Sequence, residues 1–288
     1  MSRFAKVLLF VCLAVVMLPP LVAALPLEQG TDFATITPAN LYQIEIVATL
    51  AGEYSAAFTP DGRYILTEGF THVDKWEIEA GKSAAYWDND SNVRALVMSP
   101  TGKLVAIIDD EPSIALWDVT TGKTVRTLEG HTDQVNSVAF SADGQLVASS
   151  SDDQSIRIWN VDAGTVNSVI NTDHSILSVA FSPDATRLAS GAWGDYVKVW
   201  DIQTGKEVLF LGQVNVHSLV FSPDGKRLAA AGDDVVLWDV TTGDSIAELR
   251  GRTVAISPDG SMLATTSDEV VWLWDAVTGS PLATLIGH

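Results

Sequence analysis

The stretch SADGQLVASSSDDQSIRIWNVDAG, Ser141 to Gly164, decides the fold because it recurs along the chain. Its opening phrase, Ser141-Ala142-Asp143-Gly144, returns as Thr59-Pro60-Asp61-Gly62, Ser99-Pro100-Thr101-Gly102, Ser182-Pro183-Asp184-Ala185, Ser222-Pro223-Asp224-Gly225 and Ser257-Pro258-Asp259-Gly260. A second phrase keeps step with it: Trp76-Glu77, Trp117-Asp118, Trp159-Asn160, Trp200-Asp201, Trp238-Asp239 and Trp274-Asp275. Both markers repeat at spacings of 35 to 42 residues. A period near forty means one supersecondary unit per repeat, stacked on its neighbours. The apolar runs between the phrases are too short for helices and read as strands. In the quoted unit, strand a covers Val135 to Phe140, b Leu146 to Ser149, c Ser155 to Val161 and d Val166 to Ile170. Pro fixes φ and Gly accepts positive φ in the a-to-b hairpin, and Ala163-Gly164 marks the c-to-d hairpin. The sequence predicts an all-β chain of four-stranded antiparallel units.

These residues resemble the WD-repeat family, whose fold is a β-propeller of four-stranded blades around a central channel. The resemblance runs from about Ile44 to the C-terminus, and Gly130-His131, Asp143-Gly144 and Trp159-Asn160 carry it in order within one repeat. It implies a buried hydrogen-bonded tetrad, mapped here to His131, Ser149, Asp153 and Trp159. Other units depart from that pattern. The second has Asn89 and Ile107 at the histidine and serine positions, the sixth has Arg252 at the histidine position, and His174 and His217 are out of register.

Six a-b-c units stand against seven segments that resemble strand d, from Ile46–Leu50 to Pro281–Ile286. Two readings follow: a six-bladed ring with a redundant strand, or a truncated seven-bladed ring lacking three strands. The second is favoured, because Leu285-Ile286-Gly287-His288 repeats the Leu128-Glu129-Gly130-His131 that precedes a strand a.

Composition limits the function. With 47% hydrophobic and 18% charged residues, the 288-residue chain is not globally disordered. A net charge of −19 argues against nucleic acid, whose binding rests on Lys and Arg contacts to phosphate. Residues 1–24 combine basic Arg3 and Lys6, the apolar run Val7 to Leu18, and small Val22-Ala23-Ala24, which reads as a secretory signal. The alternative is an N-terminal membrane anchor. Residues 25–43 form a lead-in, and 44–288 the repeats. The expected protein is therefore an exported, periplasmic or extracellular member of bacterial type. Its only cysteine, Cys12, would leave with the signal, which excludes disulfides and thiol chemistry.

His131, Ser149 and Asp153 have the composition of a hydrolase triad, but triads are recognised by geometry and roles, and Ser149 falls inside a strand. No catalytic residue, metal site or cofactor is expected. His72, His174 and His217 lie in different units without paired-ligand spacing. The b-to-c turns carry Asp109, Asp110, Glu111, Asp152, Asp153, Asp195, Asp233, Asp234, Asp268 and Glu269, with no Lys or Arg. Together with the d-to-a loops they form one face, to which Trp193 adds an aromatic. The opposite face collects Arg63, Lys82, Lys103, Lys123, Arg187, Lys206, Lys226 and Arg227. The expected function is a non-catalytic scaffold that binds another protein, one with a cationic segment, through the acidic face. A ligand- or cation-binding propeller using the central channel, and a fragment of a longer WD-repeat protein, are the alternatives.

Overall fold

The computed structural model describes residues 55–78, 80, 82–192, 196–212, 216–267 and 270–286. The signal-like residues 1–24, the lead-in 25–43 and the early strand-d segment Ile46–Leu50 lie outside them.

Six sheets of four antiparallel strands make up a six-bladed β-propeller, with no helix among the described residues. Each sheet uses four consecutive strands, a to d. Blade one runs Ala56–Phe58, Tyr64–Glu68, His72–Glu77 and Lys82–Asp88, and blade two Ala95–Met98, Leu104–Ile108, Ser113–Asp118 and Thr124–Glu129. Blade three is Val135–Phe140, Leu146–Ser151, Ser155–Asn160 and Thr165–Asn171. Blade four is Ile176–Phe181, Arg187–Ala192, Val197–Asp201 and Glu207–Phe210. Blade five comprises Ser218–Phe221, Arg227–Ala231, Val235–Asp239 and Ser245–Leu249. Blade six comprises Thr253–Ile256, Met262–Ser267, Val270–Asp275 and Pro281–Ile286.

The favoured truncated seven-bladed ring is corrected here. Six complete four-stranded blades make the ring, and Pro281–Ile286 is the strand d of the sixth, paired with Val270–Asp275 in register Val270↔Ile286 to Trp274↔Pro281. Consecutive hairpins thus supply every strand of every blade, an arrangement that needs no long-range strand exchange.

Strand a of each blade touches strand a of the next, from blade one through blade six. Strand b is packed on both faces. Val147 joins Val138 and Trp159 against Ala106, Ile108 and Leu116 of blade two, while its neighbour Ala148 faces Ile176, Val179 and Leu188 of blade four. That double burial is why strand b is built of successive apolar and small residues, such as the Leu146–Ser151 run LVASSS, rather than alternating apolar and charged ones. Strand d is mostly exposed, as in Thr124–Glu129, where only Leu128 is buried. The core therefore lies between blades, and apolar burial there drives the stacking.

Candidate functional site

The first turn phrase earns its recurrence through side chains. Ser141 Oγ donates to Asp143 Oδ1 (2.6 Å) and accepts from the Leu146 N–H (2.9 Å), while Asp143 Oδ1 accepts from the Gln145 N–H (3.0 Å). Ser182, Ser222 and Ser257 repeat the bond to the Asp two residues on. In blades two to six the residue after the tryptophan caps the other hairpin, as where Asp118 Oδ1 accepts from the N–H groups of Thr120 (3.0 Å) and Thr121 (2.8 Å). Backbone and hydroxyl hydrogen bonds from Thr121 hold its carboxyl below the usual value. All six c–d pairs shift register at the tryptophan.

In blade three the structure brings His131, Ser149, Asp153 and Trp159 into one chain of hydrogen bonds. Trp159 Nε1–H donates to Ser149 Oγ (2.8 Å), Ser149 lies 2.7 Å from His131 Nε2, and His131 Nδ1 lies 2.7 Å from Asp153 Oδ2. The partners fix the tautomer. Because the Asp153 carboxylate can only accept, Nδ1–H donates to it, and Nε2 of the neutral imidazole accepts the Ser149 proton while the serine oxygen accepts from the indole. Burial pushes the imidazole below its ordinary value, against the pull of Asp153. Burial raises the Asp153 carboxyl, but hydrogen bonds from Ser155, His131 and the Thr132 N–H outweigh it and hold it below the usual range.

The Asp–His–Ser order equals that of a hydrolase triad. Ser149, however, is fully buried with its oxygen already engaged by Trp159.

The tryptophan-to-hydroxyl bond extends further than the histidine pattern suggests. Trp76 donates to Thr67 (3.0 Å), Trp200 to Ser190 (2.7 Å) and Trp274 to Thr265 (2.8 Å). Sequence reading overlooked these three partners, although each is a Ser or Thr nine or ten residues before its tryptophan. Blade two has Ile107 at that position, and the buried Trp117 Nε1 has no acceptor. Blade five has Ala230 there, opposite Val236 in the ladder.

At the end of the ring formed by b-to-c turns and d-to-a loops, the acidic residues play two parts. Asp109 accepts from the Glu111 N–H (3.0 Å) and from Asn89 (3.3 Å), and Asp152 accepts from Asn136 (2.7 Å) and from Ser175 of the next blade. These carboxylates brace loops. Asp110, Glu111, Asp233 and Asp234 are exposed. Trp193, Asp195, Asp268 and Glu269 lie outside the described residues.

The rim also holds cations that the charge reading of this face did not count, because they sit in d-to-a loops rather than b-to-c turns. Arg94 lies 3.8 Å from Asp110 and bonds Gln134, and Arg250 and Arg252 are exposed between blades five and six. His72 pairs with Asp74 at 3.2 Å, and the His174 ring meets Tyr196 edge-on. Among the described residues, no group of three or more His, Cys, Asp or Glu side chains could hold a metal ion.

Residues 122–160, 166–201, 205–239 and 245–275 match the family described as WD domain, G-beta repeat. The chain is 28% identical over 227 residues to the nuclear distribution protein PAC1 of Arthroderma benhamiae, covering 74% of this chain and 42% of that protein. The PAC1 of Trichophyton verrucosum matches to the same extent. A lissencephaly-1 homolog of Monosiga brevicollis is 27% identical over 106 residues, 37% of this chain and 25% of its own length. The chain thus spans less than half the length of these curated relatives. They also correct the expected location. The similar proteins are eukaryotic, and one is named for nuclear distribution, an intracellular role that conflicts with a periplasmic or extracellular member of bacterial type.

Proposed function

Since four stretches between residues 122 and 275 match the WD domain, G-beta repeat family, we propose that the chain is a non-catalytic scaffold that binds another protein through the rim of b-to-c turns and d-to-a loops. The exposure of Asp110, Glu111, Asp233 and Asp234 at one end of the ring carries this reading. In a chain of net charge −19, such a rim attracts a cationic segment and speeds its encounter. The buried His131–Ser149–Asp153–Trp159 chain supports a structural role for the one group with triad composition, since a reacting carbonyl has no path to a fully buried serine oxygen. Fold alone does not establish the role, because one architecture hosts many functions. The relatives' names supply the setting, an intracellular partner.

The test is capture of partners from a cell extract on the immobilised protein, at about 0.05 M and about 0.5 M salt. Capture lost at high salt, and lost in an Asp110→Asn/Glu111→Gln variant that melts like the parent, supports the rim. A partner held equally at both salts and by both proteins would overturn it.

A further inference from the structure

One position on strand c behaves differently in blade one from its counterparts. Two residues before the repeat tryptophan stand Arg157 in blade three and Lys198 in blade four, and both put a cation against aromatic rings. Arg157 Cζ lies 6.0 Å from the Trp159 ring centre. Lys198 Nζ lies 4.3 Å from that of Tyr196 and 5.5 Å from that of Trp200, tied down by Glu207 at 2.8 Å. Directly across from Lys198 on strand d is Phe210, which completes the aromatic set.

Blade one keeps the rings and loses the cation. Its equivalent residue is Asp74, directly opposite Tyr86, and His72 stands opposite Asp88. The His72 and Tyr86 rings stack at 4.6 Å, and Tyr86 is 55% exposed. Lys75, the lysine of this strand, leaves by the other face, where its ammonium lies over Tyr64 and donates to the Val119 carbonyl. No other blade joins an aromatic ring and a carboxylate at this pair of positions: the pairs are Ala115/Thr127, Arg157/Val169, Lys198/Phe210, Val236/Glu248 and Trp272/Thr284.

We infer that the Tyr86–His72 shelf with Asp74 and Asp88 is a docking site for an arginine or lysine side chain of a basic partner segment, which supplies from outside the cation that blades three and four carry within themselves. Charge complementarity selects this occupant. An aromatic face and two carboxylates attract a guanidinium or ammonium, whereas a second copy of this acidic chain would be repelled. The inference deepens the scaffold reading, since it gives the cationic segment a specific anchor on the outer strands of blade one, beside the rim and distinct from Asp110 and Glu111.

The probe is a fluorescein-labelled Gly-Ser-Arg-Ser-Arg-Gly peptide, titrated by anisotropy beside its citrulline counterpart, which keeps the shape and loses the charge. Wild-type protein should bind the arginine peptide and not the citrulline one. Asp74→Lys, which rebuilds the internal cation of blade four, should weaken binding about tenfold or more at an unchanged melting temperature. Tyr86→Ala should weaken it severalfold, and Tyr86→Phe should not. Equal binding of both peptides, absence of binding, or binding unmoved by Asp74→Lys and Tyr86→Ala would overturn the shelf. Binding lost instead in Asp110→Asn/Glu111→Gln would overturn the shelf while leaving the rim standing. The reverse pattern would keep the shelf and remove the rim from recognition of basic segments.

Discussion

Ser149 and Ile107 occupy the same place in adjacent blades and set opposite terms for the tryptophan beside them. Ser149 accepts from Trp159 and donates to His131, so Ser149→Ala strands two buried groups at once. An unsatisfied buried polar group costs about 1–3 kcal/mol. The variant should lose about 2–4 kcal/mol in urea denaturation, with the fold retained by circular dichroism. Ile107 leaves Trp117 without an acceptor. Ile107→Thr replaces a buried ethyl group with a hydroxyl, forfeiting two carbons of burial worth about 1.6 kcal/mol, and returns a hydrogen bond worth about 1 kcal/mol. It should lie within about 1 kcal/mol of the parent, whereas Ile107→Ala should cost about 2–5 kcal/mol. If Ile107→Thr is as damaging as Ile107→Ala, the indole proton is not seeking an acceptor. The tetrad members were legible in the sequence through the resemblance to the WD-repeat family, whose pattern maps them onto His131, Ser149, Asp153 and Trp159. Thr67, Ser190 and Thr265 were not, since a hydroxyl in a strand interior looks like any other small buried residue until the register aligns it with an indole.

Among the elements, the a-to-b hairpin shows how closely a turn constrains its residues. Its fourth position has φ of +67° to +71° at Gly62, Gly102, Gly144, Gly225 and Gly260, and φ of +53° at Ala185, the one alanine in the series. Left-handed backbone costs an alanine about 1–2 kcal/mol. The Ser182–Asp184 side-chain bonds and the Ala185 N–H to Ser182 carbonyl bond (2.9 Å) hold it there regardless. Ala185→Gly should therefore stabilise the protein by about 0.5–1 kcal/mol, after the extra freedom of glycine in the unfolded chain is offset. Gly144→Ala should destabilise by a similar amount. A melting-temperature shift of the wrong sign in either variant would mean that the turn tolerates a Cβ freely. Hairpins and strand order were readable because Pro, Asp and Gly mark them at fixed offsets. The blade count was misread because Leu285-Ile286-Gly287-His288, echoing Leu128-Glu129-Gly130-His131, was taken to announce a further blade, whereas six blades make the ring.

For the whole molecule, acidification separates two kinds of group. Burial depresses the His131 imidazole, so between its folded and unfolded values the unfolded chain binds the extra proton. Stability from neutral His131 is complete above the unfolded value of about 6.5 and is lost as pH falls below it. The carboxylates of Asp143, Asp184, Asp224 and Asp259 are held low, chiefly by hydrogen bonds from the serine that opens each turn. Their contribution is present above the unfolded carboxylate range near 4 and is lost only as pH falls through it toward their depressed values. Because few carboxylates protonate between pH 7 and 5, the net charge and its self-repulsion change little there, and His131 dominates the slope. Melting temperature should fall by a few degrees from pH 7 to 5, at about 2–4 °C per kcal/mol for a chain of this size, and then steeply below pH 4. His131→Gln should flatten the upper segment and leave the lower one in place. A variant that keeps the parent's slope between pH 7 and 5 would show that the buried imidazole does not couple proton uptake to the opening of blade three.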